Sequence, residues 1–178
     1  MRKKKTSKTT KPKIQKIAKQ LSNSVTKLLD AAKVKYKTLE HKMVFTAHDV
    51  SATTKKKLSE IAKVVLVKAD KDFVLIVLPA GKYVDFKGIK KALKAKKVSM
   101  ASEKDITKYL KTKVGLLHPF GSAYNLQTLL DKGMGKTKKM IASAGSYTHS
   151  LELSLKDFEK LIKPIKGTFS KAKRYNKC

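Results

Sequence analysis

The sequence predicts a single α+β domain, and three observations support this. Apolar residues recur at three- and four-residue steps in several stretches, which is helical spacing, while in others they alternate or run on continuously, which is strand spacing. The two kinds of stretch are intermixed along the chain without an internal repeat. At 178 residues and 41% hydrophobic content, there is enough apolar side chain to bury one real core.

Taken in order, Ile14, Ile17, Ala18, Leu21, Val25, Leu28 and Leu29 predict an amphipathic helix from Ile14 to about Ala32, with lysines opposite. VKYKTLEH (34–41) alternates as a strand does, and FTAHDVSATTKKKLSEIA suggests short helices. AKVVLVKA (62–69) and KDFVLIVLP (71–79), separated by charged residues around Asp70 and Lys71, make the best hairpin of the sequence and the expected centre of the sheet. AGKY follows as a turn and DFKGIKKALKA as a lysine-faced helix. SEKDITKYL (102–110) begins with Ser102 and has Asp105 three residues on, close to a capping box. In VGLLHPFGSAYNLQ (114–127), Gly115, Pro119, Gly121, Ser122 and Asn125 crowd among apolar residues, so the chain turns sharply where it is partly buried. KKMIASAG and HSLELSL read as strands and KDFEKLIKPI as a closing helix stopped by Pro164.

Charge narrows the function. With 43 Lys+Arg against 13 Asp+Glu the formal charge is +30, which calls for a polyanionic partner, nucleic acid or an anionic membrane surface. No run approaches the roughly 18 apolar residues of a spanning helix, and the stretch after the basic start is too polar for a signal peptide, so a soluble cytoplasmic protein with no membrane partner is expected. The single cysteine, Cys178, leaves no intramolecular disulfide and no thiolate zinc cluster. Arginine occurs only at Arg2 and Arg174. Lysine attracts backbone phosphates but lacks the planar fork that reads bases.

Residues 1–20 carry nine basic and no acidic residues, and residues 163–178 carry six and none. Between them 28 basic residues still face 13 acidic ones, so the body is basic in its own right. The expected division is a basic tail and helix start over 1–20, a folded domain over 21–165 and a basic tail over 166–178.

Several familiar signatures fail. Gly135-Lys136-Thr137 imitates the end of a phosphate-binding loop, but Leu130 stands where its first glycine is required. His41, His48, His118 and His149 form no i,i+4 pair and have no cysteines or paired carboxylates beside them, so neither a metal nor a cofactor is expected. Lys63 precedes Val64-Val65-Leu66-Val67 on an inner strand, where an ammonium either faces a cleft or snorkels to water from the strand end. Gly115-Leu116-Leu117-His118-Pro119 is either a loop that offers backbone atoms to a ligand or an ordinary tight turn. Ser143-Ala144-Gly145-Ser146 is a second glycine turn with the same two readings.

Together these features carry a resemblance. From about Val34 to Ile165, roughly three-quarters of its length, the chain resembles the YbaK/ProX family of aminoacyl-tRNA deacylases, found as free proteins and as the editing domain of bacterial prolyl-tRNA synthetases. The matching elements stand in the family's order: LEH with His41, FTAHDV, AK-VVLV with Lys63, FVLIVLPAG-YVDFKGIKKAL, the G-x-x-x-P loop from Gly115 to Pro119 continued by Phe120-Gly121, and the Ala144-Gly145 turn.

The resemblance implies a mixed, strongly curved sheet with flanking helices and a trans-editing reaction: hydrolysis of the ester between a wrongly attached small amino acid and the 3′-terminal adenosine of tRNA. It implies Lys63, Gly115, His118 and Pro119 as catalytic residues, with Lys63 holding the charged end of the substrate and the loop gripping the aminoacyl group. His41, Phe45, Phe120, Gly121, Ala144 and Gly145 become substrate-binding. The attacking water is assisted by the substrate's own ribose hydroxyl, in keeping with the lack of a Ser-His-Asp set in the sequence. Lys87, Lys90, Lys91 and Lys94 are the expected tRNA-phosphate contacts. The chain is expected to work as a monomer on mischarged tRNA, with a synthetase or the ribosome as a further candidate partner. The rival expectation is a non-catalytic RNA-, tRNA- or ribosome-binding module on the same fold. A DNA-coating protein is disfavoured by the complete apolar hairpin.

Overall fold

The structure is a computed structural model, and it describes residues 23–172. The expected N-terminal tail, and the expected first helix before Asn23, lie outside the described residues. The helix itself is present as α1 (Asn23–Ala31), with Val25 and Leu29 fully buried on one face. β1 (Tyr36–Glu40) follows, then α2 (Ala47–Thr54). α2 begins in a capping box: Asp49 N donates to Thr46 Oγ1 at 3.2 Å and Thr46 N donates to Asp49 Oδ2 at 2.9 Å. These hydrogen bonds hold the Asp49 carboxyl below the usual carboxylate range. Only one helix forms in this stretch, because Lys55 enters the left-handed region at φ 55° and ends it.

The central hairpin pairs β2 (Ala62–Ala69) with β3 (Asp72–Pro79) in antiparallel register from Ala62↔Pro79 to Ala69↔Asp72. Its turn is held by Asp70, whose carboxylate accepts from the amides of Lys96 and Lys97. Around the hairpin lies a mixed five-stranded sheet in the order β5-β2-β3-β6-β9, with β5 (Val98–Met100), β6 (Gln127–Asp131) and β9 (Ile165–Gly167). β6 runs parallel to both β3 and β9. Helix α3 (Phe86–Leu93) packs Ile89 with Val67, Ile76, Leu78 and Phe169, while α4 (Glu103–Leu110) packs Ile106 and Leu110 with Leu66 and Leu75. The hairpin is therefore covered on both faces, which is why it reads as an almost unbroken apolar run. The capping box at Ser102 and Asp105 is formed.

A second, antiparallel sheet has the order β1-β8-β7, with β7 (Lys139–Ser143) and β8 (His149–Ser154). It packs against α1 and α5 (Leu155–Ile162) through Met140, Leu151, Leu153 and Phe158. The two sheets meet at a parallel bridge between Ile61 and Ile141.

Regular structure continues past residue 165. β9 belongs to the main sheet, β10 (Ser170–Lys171) pairs with β4 (Tyr83–Val84), and Phe169 is buried. Buried Asp131 secures this return, accepting from Phe169 N at 2.7 Å and from Gly133 N at 2.8 Å. A basic stretch is thus folded into the domain because one apolar ring and one buried carboxylate tie it down.

Candidate functional site

A cavity of about 920 Å³ opens where the two sheets meet. Its walls come from β2, from the turn Ala80–Tyr83, from the segment Val44–His48 leading into α2, from Gly115 and Leu117, and from β7 and β8. Small or branched apolar side chains such as Ala62, Ala80, Ile141 and Ala142 are among its lining, and Ser143, Ser146 and Ser150 add hydroxyl groups.

Lys63 faces this space. It pairs with Leu78 across the hairpin, and its Nζ donates to the carbonyl of Lys82 and lies 5.3 Å from the centroid of the Tyr83 ring. Among the described residues no carboxylate pairs with it. Burial without a counter-charge lowers its pKa from the ordinary lysine value. Two of its three N–H donors have no protein acceptor among the described residues, so they are available to an anionic or carbonyl group of a ligand.

Gly115 lies on the same cavity in the left-handed region at φ 86°. A Cβ there would come within 3.2 Å of the carbonyl oxygen of Phe45. Glycine thus lets the loop backbone approach the Phe45 segment closely. Phe45 itself is 63% exposed at the cavity, its ring 5.1 Å from that of Tyr147. The Asp49 carboxylate that caps α2 also accepts from Phe45 N, which fixes the approach of this segment.

The other expected residues fall elsewhere. Beyond Leu117 the loop turns into the core: His118, Pro119, Phe120 and Gly121 are buried and do not line the cavity. His118 stacks on Tyr124 with centroids 4.2 Å apart and planes 9° apart, and burial drives its pKa down to about 4. The same packing raises that of Tyr124 to about 12. Phe120 meets Phe158 edge-on in the core. Gly121 is there for space, since a Cβ would overlap Thr128 Oγ1. Ala144 is buried and Gly145 turns at φ 74°, so this turn reaches the cavity through Ser143 and Ser146 instead. His41 lies behind the wall, its Nε2 2.9 Å from Ser150 Oγ.

Lys87, Lys90, Lys91 and Lys94 are exposed along and just after α3, and none lines the cavity. The helix begins three residues after Tyr83, so its lysines continue from the cavity rim. Among the described residues there is no cluster of three or more metal-ligating side chains and no helix long and apolar enough to cross a membrane.

Sequence reasoning missed Ser150 and the exposed apolar rim formed by Tyr83, Met100 and Val114. No local pattern marks them, because each reaches the cavity only through the pairing of distant strands.

Comparison with known proteins places the chain in a family. The sequence profile of the aminoacyl-tRNA editing domain matches residues 41–161. The chain belongs to that family. The prolyl-tRNA editing protein ProX of Acetoanaerobium sticklandii is 26% identical to this family member over 147 residues, which span 79% of this chain and 90% of that protein. Among solved structures, a hypothetical protein superposes with a TM-score of 0.78 at 20% identity, covering 83% of this chain and 99% of the other. A proposed trans-editing enzyme for prolyl-tRNA synthetase superposes at 0.74 and 14% identity, covering 84% and 96%. At such identities the structural likeness speaks for the fold.

Proposed function

We propose that this editing-domain protein is a trans-editing hydrolase: it cleaves the ester between a small amino acid and the 3′-terminal adenosine of a mischarged tRNA. The observation that carries the reading is the meeting of an unpaired, half-buried ammonium, Lys63, with the positive-φ Gly115 backbone in one cavity. Lys63 would hold a phosphate or carbonyl oxygen of the substrate, and the backbone at Gly115 would grip the aminoacyl end. The small lining residues Ala62, Ala80 and Ala142 suit a short side chain. An independent hydrolytic site answers a physical need, since one methylene supplies only about 1–3 kcal/mol of discrimination in a synthetase pocket. The exposed lysines of α3 and both basic ends would attract tRNA phosphates, with affinity falling steeply as salt rises. The protein would act as a cytoplasmic monomer.

The test is a panel of mischarged tRNAs incubated with the protein and with Lys63→Ala. Hydrolysis of at least one small aminoacyl ester, lost in the variant, is expected. Tight tRNA binding without hydrolysis of any ester would replace this reading with that of a non-catalytic RNA-binding module.

A further inference from the structure

We propose that the hydroxyls of Ser143 and Ser150 read the side chain of the amino acid being removed, so that the cavity favours the ester of a short hydroxyl-bearing residue, serine first, over that of alanine. The inference rests on the deacylase reading above and names the substrate class of that site.

Strand register brings the two hydroxyls together. Ser143 of β7 stands directly opposite Ser150 of β8, so their side chains leave the same face of the sheet, and both line the cavity. Their hydrogen bonds make them complementary. His41 Nδ1 lies 2.9 Å from the carbonyl oxygen of Lys42, which can only accept, so in the neutral ring Nδ1 carries the hydrogen and Nε2 accepts the Ser150 O–H at 2.9 Å. Ser150 Oγ therefore has only lone pairs left for a ligand. Ser143 Oγ accepts from Gly145 N at 3.2 Å, and its O–H has no acceptor among the described residues. One hydroxyl thus offers an acceptor and its neighbour a donor, two partners that a serine side chain satisfies and a methyl group cannot.

The other polar side chains of the lining are less suited to this role. Ser146 Oγ is engaged within its own turn, accepting from Thr148 N at 3.2 Å and lying 3.3 Å from Thr148 Oγ1. Thr46, His48 and Glu103 are exposed, where water competes for them. Lys63 offers donors only. Around the two serines the wall is apolar: Ile141 precedes Ser143 by two residues on the same face, and with Ile61 and Ala80 it forms a buried cluster. Ser150 itself is only 3% exposed.

Burial sets how sharply such a pair discriminates. A site that hydrogen-bonds a substrate hydroxyl rejects the analogue lacking it more strongly than an apolar pocket rejects an added group, because the site's own polar atoms then lose their partners. Alanine lacks the one oxygen that serine carries, and leaves Ser143 and Ser150 facing a methyl group. The ester, the α-amino group and the ribose are common to both substrates. Hydroxyls that held any of these would serve both esters alike, so the ratio of the two rates isolates the reading of the side chain.

The test measures kcat/KM of the full chain for seryl and alanyl esters carried on one and the same tRNA, with Ser143→Ala and Ser150→Ala alongside. The parent is expected to favour the seryl ester by about fivefold or more, the scale of one or two net hydrogen bonds, and each variant to lower that ratio by about threefold or more. Both esters meet the same protein sample, so a partly unfolded variant does not change the ratio, and the parent's own preference is read without any variant. A smaller preference in the parent, a preference for alanine, or hydrolysis of other esters only would overturn the proposal and leave the deacylase reading intact. So would a ratio retained in either variant, or equal losses on the two esters, which would assign the hydroxyls to the part that all aminoacyl groups share. If the parent hydrolyses no ester of the wider panel, the deacylase reading fails and this inference with it.

Discussion

The buried imidazole of His118 makes the stability of this protein depend on pH. The ring is 2% exposed, stacked on Tyr124, and its Nδ1 has no hydrogen-bond partner, so protonation in the folded state places an unpaired cation in the core. Its folded pKa of about 4 lies below the unfolded value of 6.5. The unfolded chain therefore takes up the proton first as pH falls. The stability contribution is complete above the unfolded value and is lost progressively toward the folded one. Each unit of separation is worth about 1.4 kcal/mol, and integration from pH 8 to pH 5 gives a loss of about 2 kcal/mol assignable to this ring. In a domain of this size that corresponds to roughly 4–8 °C in melting temperature. The assay is a set of urea melts at pH 8, 6.5 and 5 on the parent and on His118→Gln, which is neutral throughout. The variant starts from its own baseline at pH 8, but its decline between pH 8 and 5 should be smaller than the parent's by about 2 kcal/mol. Equal declines in the two proteins would refute the argument that this histidine is held neutral by burial.

Three further outcomes are expected. Gly115→Ala forces a side chain into the left-handed region and toward the Phe45 carbonyl, so it should cost about 1–2 kcal/mol in denaturant melts and lower kcat/KM for a mischarged tRNA; parent-like values of both would remove the backbone requirement at Gly115. Lys111, which ends α4 at φ 53°, should accept glycine with a gain of about 0.5–1 kcal/mol in melts and unchanged hydrolysis, since it does not line the cavity. Deleting residues 1–20, which removes nine positive charges, should flatten the slope of log affinity for tRNA against log salt while turnover at saturating tRNA stays close to that of the parent; an unchanged slope would exclude this segment from phosphate contact.

What could be read along the chain and what could not divide on the range of the interaction responsible. The β2–β3 hairpin, the capping box at Ser102 and the helix ended before Pro164 are local devices, each specified by residues a few positions apart. The ordered run of Lys63, the Gly115–Pro119 loop and the Ala144–Gly145 turn was legible too, because a resemblance is a matter of order and spacing. β6 was not. It is five residues long, Thr128 and Asp131 interrupt its apolar pattern, and its partners are parallel strands far along the chain, Val74 of β3 and Ile165 of β9 among them. The final strands were hidden for a related reason, since only the reach of Asp131 to Phe169, 38 residues away, turns a lysine-rich end into part of a sheet.

The same division runs through the site. Sequence by itself determined that a lysine follows Ala62 on an apolar strand, that a glycine opens the 115–119 loop, and that the chain is strongly cationic. Tertiary structure alone decided that Gly115 faces the cavity while His118, three residues on, turns away into the core, and that His41 meets Ser150 across 109 residues. A loop with apolar residues on both sides has no periodicity to say which way each side chain points. Contacts between distant strands depend on how the two sheets close on each other, a property of the packed whole and not of any window of the chain.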